Sequence, residues 1–260
     1  MGRLDCSRYE ECFRRLSASY EVVAELERAF RSEHTNFDEL ARVIEKDPAL
    51  TAEILKVVNS PYYGFPRKIS SVAHGVVLLG MVNIRIIVLT VSFFKSHPRL
   101  TPLWAHSQWV SYLAKELLKR LLKSSMRQSP LLLAIDPTTL ATAGILHDVG
   151  KIPRFLCPET ELPEDHGEVG FLIAHCFDFP EELSTAIAYH HRPWEARTEV
   201  ALVSILYFAN EIVNQREISE ENLSRGAAYL GLSTEELKGV IKATQDMFQK
   251  YLENLRCRKR

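Results

Sequence analysis

Apolar residues recur at intervals of three and four along almost the whole 260-residue chain, and no stretch alternates apolar and polar positions for long. The first pattern paints a stripe down one side of a 3.6-residue helix. The second is what a half-buried strand would need, so the expected fold class is all-α. Local signals agree. Asp47-Pro48 joins a side-chain cap to a proline at the first helical position, with Leu50, Ile54, Leu55 and Val58 following on one face. Asn59-Ser60-Pro61 closes that helix, and a loop through Tyr62, Tyr63, Gly64, Phe65 and Pro66 leads to Ser70-Ser71. These serines cap a helix carrying Val72, Val76, Val77 and Leu79 up to Gly80. Residues 81–95 are apolar nearly all round, as in a helix in the middle of a bundle.

Residues 96–102 hold two prolines and read as a connector. They divide the chain into an amino-terminal helical bundle, 1–97, and a second helical part, 98–260. Helices are expected near 103–122, 137–147, 164–176, 181–190 and 199–213, with two more after Ser219 and Ser233. Residues 153–163 are proline-rich and form either a lid or a simply packed loop. The last helix spaces Leu237, Ile241, Thr244, Phe248, Tyr251 and Leu255 into one seam, which docks on the protein's own core or pairs with a second subunit as a homodimer.

Composition narrows the function classes. With 46% apolar and 25% charged residues the chain is globular, and its net charge of −1 argues against a general nucleic-acid-binding surface. The terminal Arg256-Cys257-Arg258-Lys259-Arg260 reads as a solvated helix end. The longest apolar runs, 84–94 and 201–209, are too short to span a bilayer, and the polar amino terminus has no secretory core. Five cysteines, odd in number and never spaced Cys-x-x-Cys, fit neither a disulfide framework nor a zinc knuckle. The expected location is a reducing cytoplasm, without membrane or nucleic-acid partners.

Chemistry concentrates in Gly-Ile-Leu-His-Asp-Val-Gly-Lys, ending at Lys151. His147 and Asp148 set an imidazole beside a carboxylate at a helix end that Gly150 is expected to terminate. His190-His191 repeats a histidine pair at another helix end, with Pro193 blocking continuation. His166 opens a helix on which Gly170, one turn later, leaves room for a close neighbour. His106 lies in the first turns of the helix that opens the second part. Imidazoles and a carboxylate are donors for Fe, Mn, Zn or Ni, and Asp148 is the natural bridge if one or two divalent ions bind. Such ions would polarise a phosphoryl oxygen and generate hydroxide near neutral pH. Lys151 offers a cation to a phosphate oxygen, and Asn210 an oxygen ligand or orienting partner. His175, nine residues after His166 on the same helix, points to the opposite side, and His34, His74 and His97 have no partner at useful spacing.

His106, His147-Asp148, Lys151, His166 and His190-His191 resemble the metal-binding series of the HD superfamily of phosphohydrolases, in the spacing of the HD-GYP cyclic-dinucleotide phosphodiesterases. Upstream, DPALTAEILKVVNSPYYGF followed by ISSVAHGVVLLG resembles the signature of the HDOD (HD-related output domain) family, and this match is the more specific. The HDOD resemblance implies a bacterial signalling module with a protein partner and a two-part helical architecture, commonly without the complete HD metal set. This chain keeps most of the histidines. No Gly-Tyr-Pro follows His191, and the closing aspartate of the HD pattern falls on Asn210, a weaker and neutral ligand. Two functions are therefore expected in competition: a regulatory module with a partly retained metal centre, or a metal-dependent phosphohydrolase acting on a phosphate-containing small ligand.

Overall fold

The computed structural model describes residues 6, 20–30, 36–59, 63, 65–95, 98–124, 129–158 and 161–258. His34, His97, Cys12, Lys259, Arg260 and the loop positions Ser60, Pro61, Tyr62 and Gly64 lie outside them, as do the side chains from 255 onward. Among the described residues every regular element is a helix. They are α1 (Tyr20–Phe30), α2 (Phe37–Glu45), α3 (Pro48–Val58), α4 (Val72–Lys95), α5 (Thr101–Ser124), α6 (Pro130–Leu133), α7 (Pro137–Leu146), α8 (Ile152–Leu156), α9 (His166–Cys176), α10 (Glu181–Tyr189), α11 (Val200–Val213), α12 (Glu220–Leu230) and α13 (Thr234–Arg258). Single 3-10 turns occur at Pro98–Leu100, Val149–Lys151 and Pro193–Glu195. Helices expected between 103 and 213 are present with ends shifted by at most two residues.

The chain forms two compact units, each drawing on separate stretches: Met1–Ala105 with Asp148–Pro180, and His106–His147 with Glu181–Arg260. The expected division lay at a single point, 97/98. In the first unit, short polar side chains start the helices. Asn36 Oδ1 accepts the Glu39 N–H at 2.9 Å to cap α2, and Asp47 Oδ1 accepts the Leu50 N–H at 3.0 Å to cap α3. Beyond α3, Asn59 donates through Nδ2 to the carbonyls of Leu55 and Ile69, and accepts the Ile69 N–H at 2.7 Å. One side chain thus fixes both ends of the loop between α3 and α4.

α4 is broken at Gly80, whose φ of 77° and ψ of 164° suit only glycine. Its halves, Val72–Met81 and Asn83–Ser92, are bent by 114° at the break. They bury Val76, Leu79, Ile84, Ile86, Leu89 and Phe94 in the unit's core, where Phe94 packs on Trp104 at 5.3 Å between ring centroids. Among the described residues no single helix is long and apolar enough to cross a membrane.

In the second unit α5, α7 and α11 fill the centre with Val110, Leu113, Leu117, Leu140, Leu146, Val203, Ile205 and Phe208. α7 and α11 carry apolar side chains on every face, as central helices must. Gly144 lets α5 and α7 nearly touch: a Cβ there would lie 2.5 Å from Ser111 Cα. The α13 seam docks on its own unit, with Leu237, Ile241, Thr244 and Phe248 buried and Trp109 against Phe248 at 5.1 Å. That stretch of seam is therefore not open to a second subunit.

The cysteine expectation is corrected. Cys6 and Cys176, 170 residues apart, form a disulfide with Cα atoms 5.4 Å apart, and Cys157 is disulfide-bonded as well. Pairing depends on Cα proximity in space, which scattered sequence spacing does not reveal.

Candidate metal centre

In the second unit the helix ends do the positioning. Asp136 Oδ2 accepts the Thr139 N–H at 2.7 Å and starts α7, which ends at Leu146 and delivers His147 into the interior with no exposed surface. His147 Nδ1 lies 2.8 Å from the Gly144 carbonyl oxygen. A carbonyl only accepts, so Nδ1 carries the hydrogen and Nε2 holds the lone pair. α10 repeats the device: His190, also fully buried, sets Nδ1 2.8 Å from the Ile187 carbonyl. Both imidazoles are thus held as Nδ1–H tautomers, the form in which Nε2 ligates a metal.

His106 on α5 approaches from the other side. Its Nε2 is 3.3 Å from His147 Nε2 and 3.1 Å from Asn210 Oδ1 on α11. An amide oxygen is an acceptor, so His106 presents an Nε2–H to it. Asn210 Oδ1 also accepts from Asn214 Nδ2 at 2.9 Å, one turn further along α11. The ring centroids of His147 and His190 are 5.0 Å apart, and those of His190 and His191 4.1 Å. His106, His147, His190, His191 and Asn210 therefore come together in this unit.

The first unit assembles the remaining residues. Asp148 is 1% exposed; its Oδ2 accepts from Lys151 Nζ at 2.6 Å, and its Oδ1 is 3.1 Å from His166 Nε2. His166 is the first residue of α9, which Asp165 caps by accepting the Gly167 N–H at 2.8 Å. Gly150, expected to terminate the helix, lies beyond its end: α7 has already stopped at Leu146, and Gly150 has no positive φ. Its role is close approach. A Cβ on Gly150 would lie 1.9 Å from the His166 carbonyl oxygen and 2.6 Å from the Gly170 nitrogen, so the bare backbone lets α9 press against the turn carrying Asp148. Residues 153–163 are pinned at both ends, because Arg154 in α8 donates through Nη2 to the carbonyls of Pro163 and Glu164.

Within each unit, His106 with His147, His190 with His191, and Asp148 with His166 bring ligand atoms within 4.8 Å of each other. The peptide bond between His147 and Asp148 makes the two groups neighbours in the chain. Histidine nitrogens with one carboxylate suit a divalent transition metal, and the tautomers of His147 and His190 fit that use. His74 and His175 are exposed and take no part. Sequence spacing did not single out Asn214, although its position four residues after Asn210 on a helix was a legible signal. Nor did it single out Glu211, buried beside Asn210. Burial pushes its carboxyl above the ordinary carboxylate range, against the nearby Arg216 at 3.5 Å.

The HD domain matches residues 103–230, the stretch that carries the paired histidines and Asp148. The chain belongs to the HDOD family, whose domain matches residues 16–163. It is 22% identical over 216 residues to an uncharacterised protein of Treponema pallidum, covering 72% of this chain and 40% of that one. It is 34% identical over 99 residues to ribonuclease Y of Thermus thermophilus, covering 36% of this chain and 16% of the enzyme. The chain thus spans less than half the length of these curated relatives. The crystal structure of a candidate phosphohydrolase from Shewanella amazonensis superposes with a TM-score of 0.59 at 22% identity, covering 87% of this chain and 89% of that one. This likeness extends the agreement to the fold.

Proposed function

We propose that the chain is a bacterial signalling module that binds a divalent metal through His106, His147, Asp148, His166, His190 and His191, with the Asn210 oxygen as a further donor, and acts on a protein partner rather than by turnover. The observation that carries this reading is the charge at Asp148. It is the only carboxylate in the donor set, and its Oδ2 is already neutralised by Lys151 at 2.6 Å. Two divalent ions bring four positive charges, against which one carboxylate shared with a lysine is a poor counterweight. Asn210 supplies no charge where the HD pattern has an aspartate. One ion is therefore held mainly by neutral imidazoles, and the second position, needed to clamp both oxygens of an in-line displacement, is weakened.

A metal bound in this way lends rigidity to the histidine cluster, and the surrounding helices carry the signal by contact. We also place the protein in the cytoplasm, where the Cys6–Cys176 disulfide would be subject to reduction. The second reading, a phosphohydrolase acting on a cyclic dinucleotide or nucleotide phosphate, draws support from the complete histidine series and its ligating tautomers. In that reading Asp148 would supply the carboxylate shared by the metals and Lys151 would offer its ammonium to a phosphate oxygen.

Metal analysis of protein purified without chelators tests the centre. We expect about one equivalent of Fe, Mn, Zn or Ni per chain, lost in His147→Ala and His190→Ala. Metal-free protein that takes up none of these ions when they are added back would refute it.

A further inference from the structure

We propose that Asn214 is a positioning residue for the metal centre, resting on the reading above. Its side-chain amide fixes which end of the Asn210 amide faces the histidines. Asn210 Oδ1 is 2.9 Å from Asn214 Nδ2 and 3.1 Å from His106 Nε2. An amide has two chemically opposite ends of nearly the same shape, and only the oxygen end ligates a cation. Asn210 is 1% exposed, so solvent does not select its orientation. The N–H of Asn214 does: it occupies one lone pair of Oδ1 and aims the other at His106.

The pattern also accounts for how the site tolerates an asparagine at this position. In the metal-free protein the second lone pair of Oδ1 accepts the His106 Nε2–H. For a metal held there, that oxygen would already face the cluster, and His106 would need only to carry its hydrogen on Nδ1 to offer Nε2 as a donor. Without Asn214 the Asn210 amide is at liberty to rotate by half a turn, present its NH2 to the Nε2 of His106, and withdraw the oxygen from the cluster. An aspartate at 210 has no wrong end and would not need this partner.

The test is a double-mutant comparison on the full chain, with zinc binding measured by competition against a chromophoric chelator. Asn214→Ala should weaken zinc binding about tenfold or more, as loss of a ligand's orienting partner commonly does. In the Asn210→Asp background the same substitution should change affinity less than twofold. Equal losses in both backgrounds would mean that Asn214 only supports the end of its helix, and no loss in either would remove the role altogether. A metal-free readout separates this inference from the metal-centre reading. Nitrogen-15 NMR of the imidazoles should show His106 as the Nε2–H tautomer in the parent protein, moving toward Nδ1–H in Asn214→Ala. An unchanged His106 tautomer in Asn214→Ala overturns the proposal even if zinc binds. A parent protein that binds no zinc but shows the tautomer change upholds the positioning and sinks the metal centre.

Discussion

Replacing Gly150 with alanine should damage stability and the Asp148 site together. The added Cβ would lie 1.9 Å from the His166 carbonyl oxygen and 2.6 Å from the Gly170 nitrogen, whereas ordinary contact begins at 3.4 Å. Both obstacles are backbone atoms of α9, so no flexible side-chain end can give way. The helix must retreat by roughly 1.5 Å, a displacement that places the change at the upper end of overpacking costs, about 3 kcal/mol. For a chain of this size that corresponds to a fall in Tm of roughly 6–12 °C. The same retreat carries His166 away from Asp148, now 3.1 Å distant, and beyond ion-pair range. Differential scanning calorimetry of parent and Gly150→Ala, with a metal titration of each, measures both effects. A Tm within about 2 °C of the parent and undiminished metal affinity would show that α9 is not pressed against this turn, and the close-approach argument would fail.

Gly239 and Gly80 make a contrasting pair. A Cβ at either meets no neighbour within 4 Å, so Gly239→Ala within α13 should stabilise by about 0.5–1 kcal/mol, while Gly80→Ala, at φ 77°, should cost roughly 1–3 kcal/mol in chemical denaturation. Burial lowers the Lys115 ammonium below its ordinary value of 10.5, with Asp136 opposing. A depressed folded-state value means stability that is present above pH 10.5 and lost as pH falls through the folded value, so Lys115→Met should raise Tm at pH 7 and lose that advantage toward pH 10.5; a gain that grows with pH would contradict this. Losing the Cys6–Cys176 disulfide, which spans 170 residues, should lower stability by at most about 5 kcal/mol on chain-entropy grounds, so Cys176→Ser should be less stable than the parent before any reductant is added, with only the Cys157 cross-link left to respond to dithiothreitol. If Cys176→Ser matches the oxidised parent in stability, the cross-link does not form between these residues.

Much of this fold was legible because helices announce themselves locally. The Asp47-Pro48 start, the Ser71 cap and the break at Gly80 are decided by backbone and side-chain chemistry within a few residues, and the structure has each of them. The histidines drew attention as metal-donor residue types at helix ends, and His106, His147 and His190 do lie together. What spacing could not provide was contact between distant segments. Cys6 and Cys176 gave no sign of pairing, and Gly150 read as a helix stop because the approach of α9 is invisible from its own neighbours. The choice between core and dimer for the α13 seam likewise depended on what the rest of the chain brings to it, and burial of Leu237 and Phe248 decides for the core. Asn214 escaped notice for a different reason: its effect passes through another side chain, and only the 2.9 Å bond to Asn210 exposes it.

On the reading proposed above, this HDOD chain binds metal and does not turn over phosphoesters. The most direct test of that reading is hydrolysis of cyclic dinucleotides, nucleotide phosphates and a generic aryl phosphodiester by Mn- or Fe-loaded protein, with bound metal determined in the same sample. Bound metal is expected, with no hydrolysis above that of His147→Ala. Reproducible turnover by the parent that disappears in His147→Ala would contradict it and establish the phosphohydrolase instead.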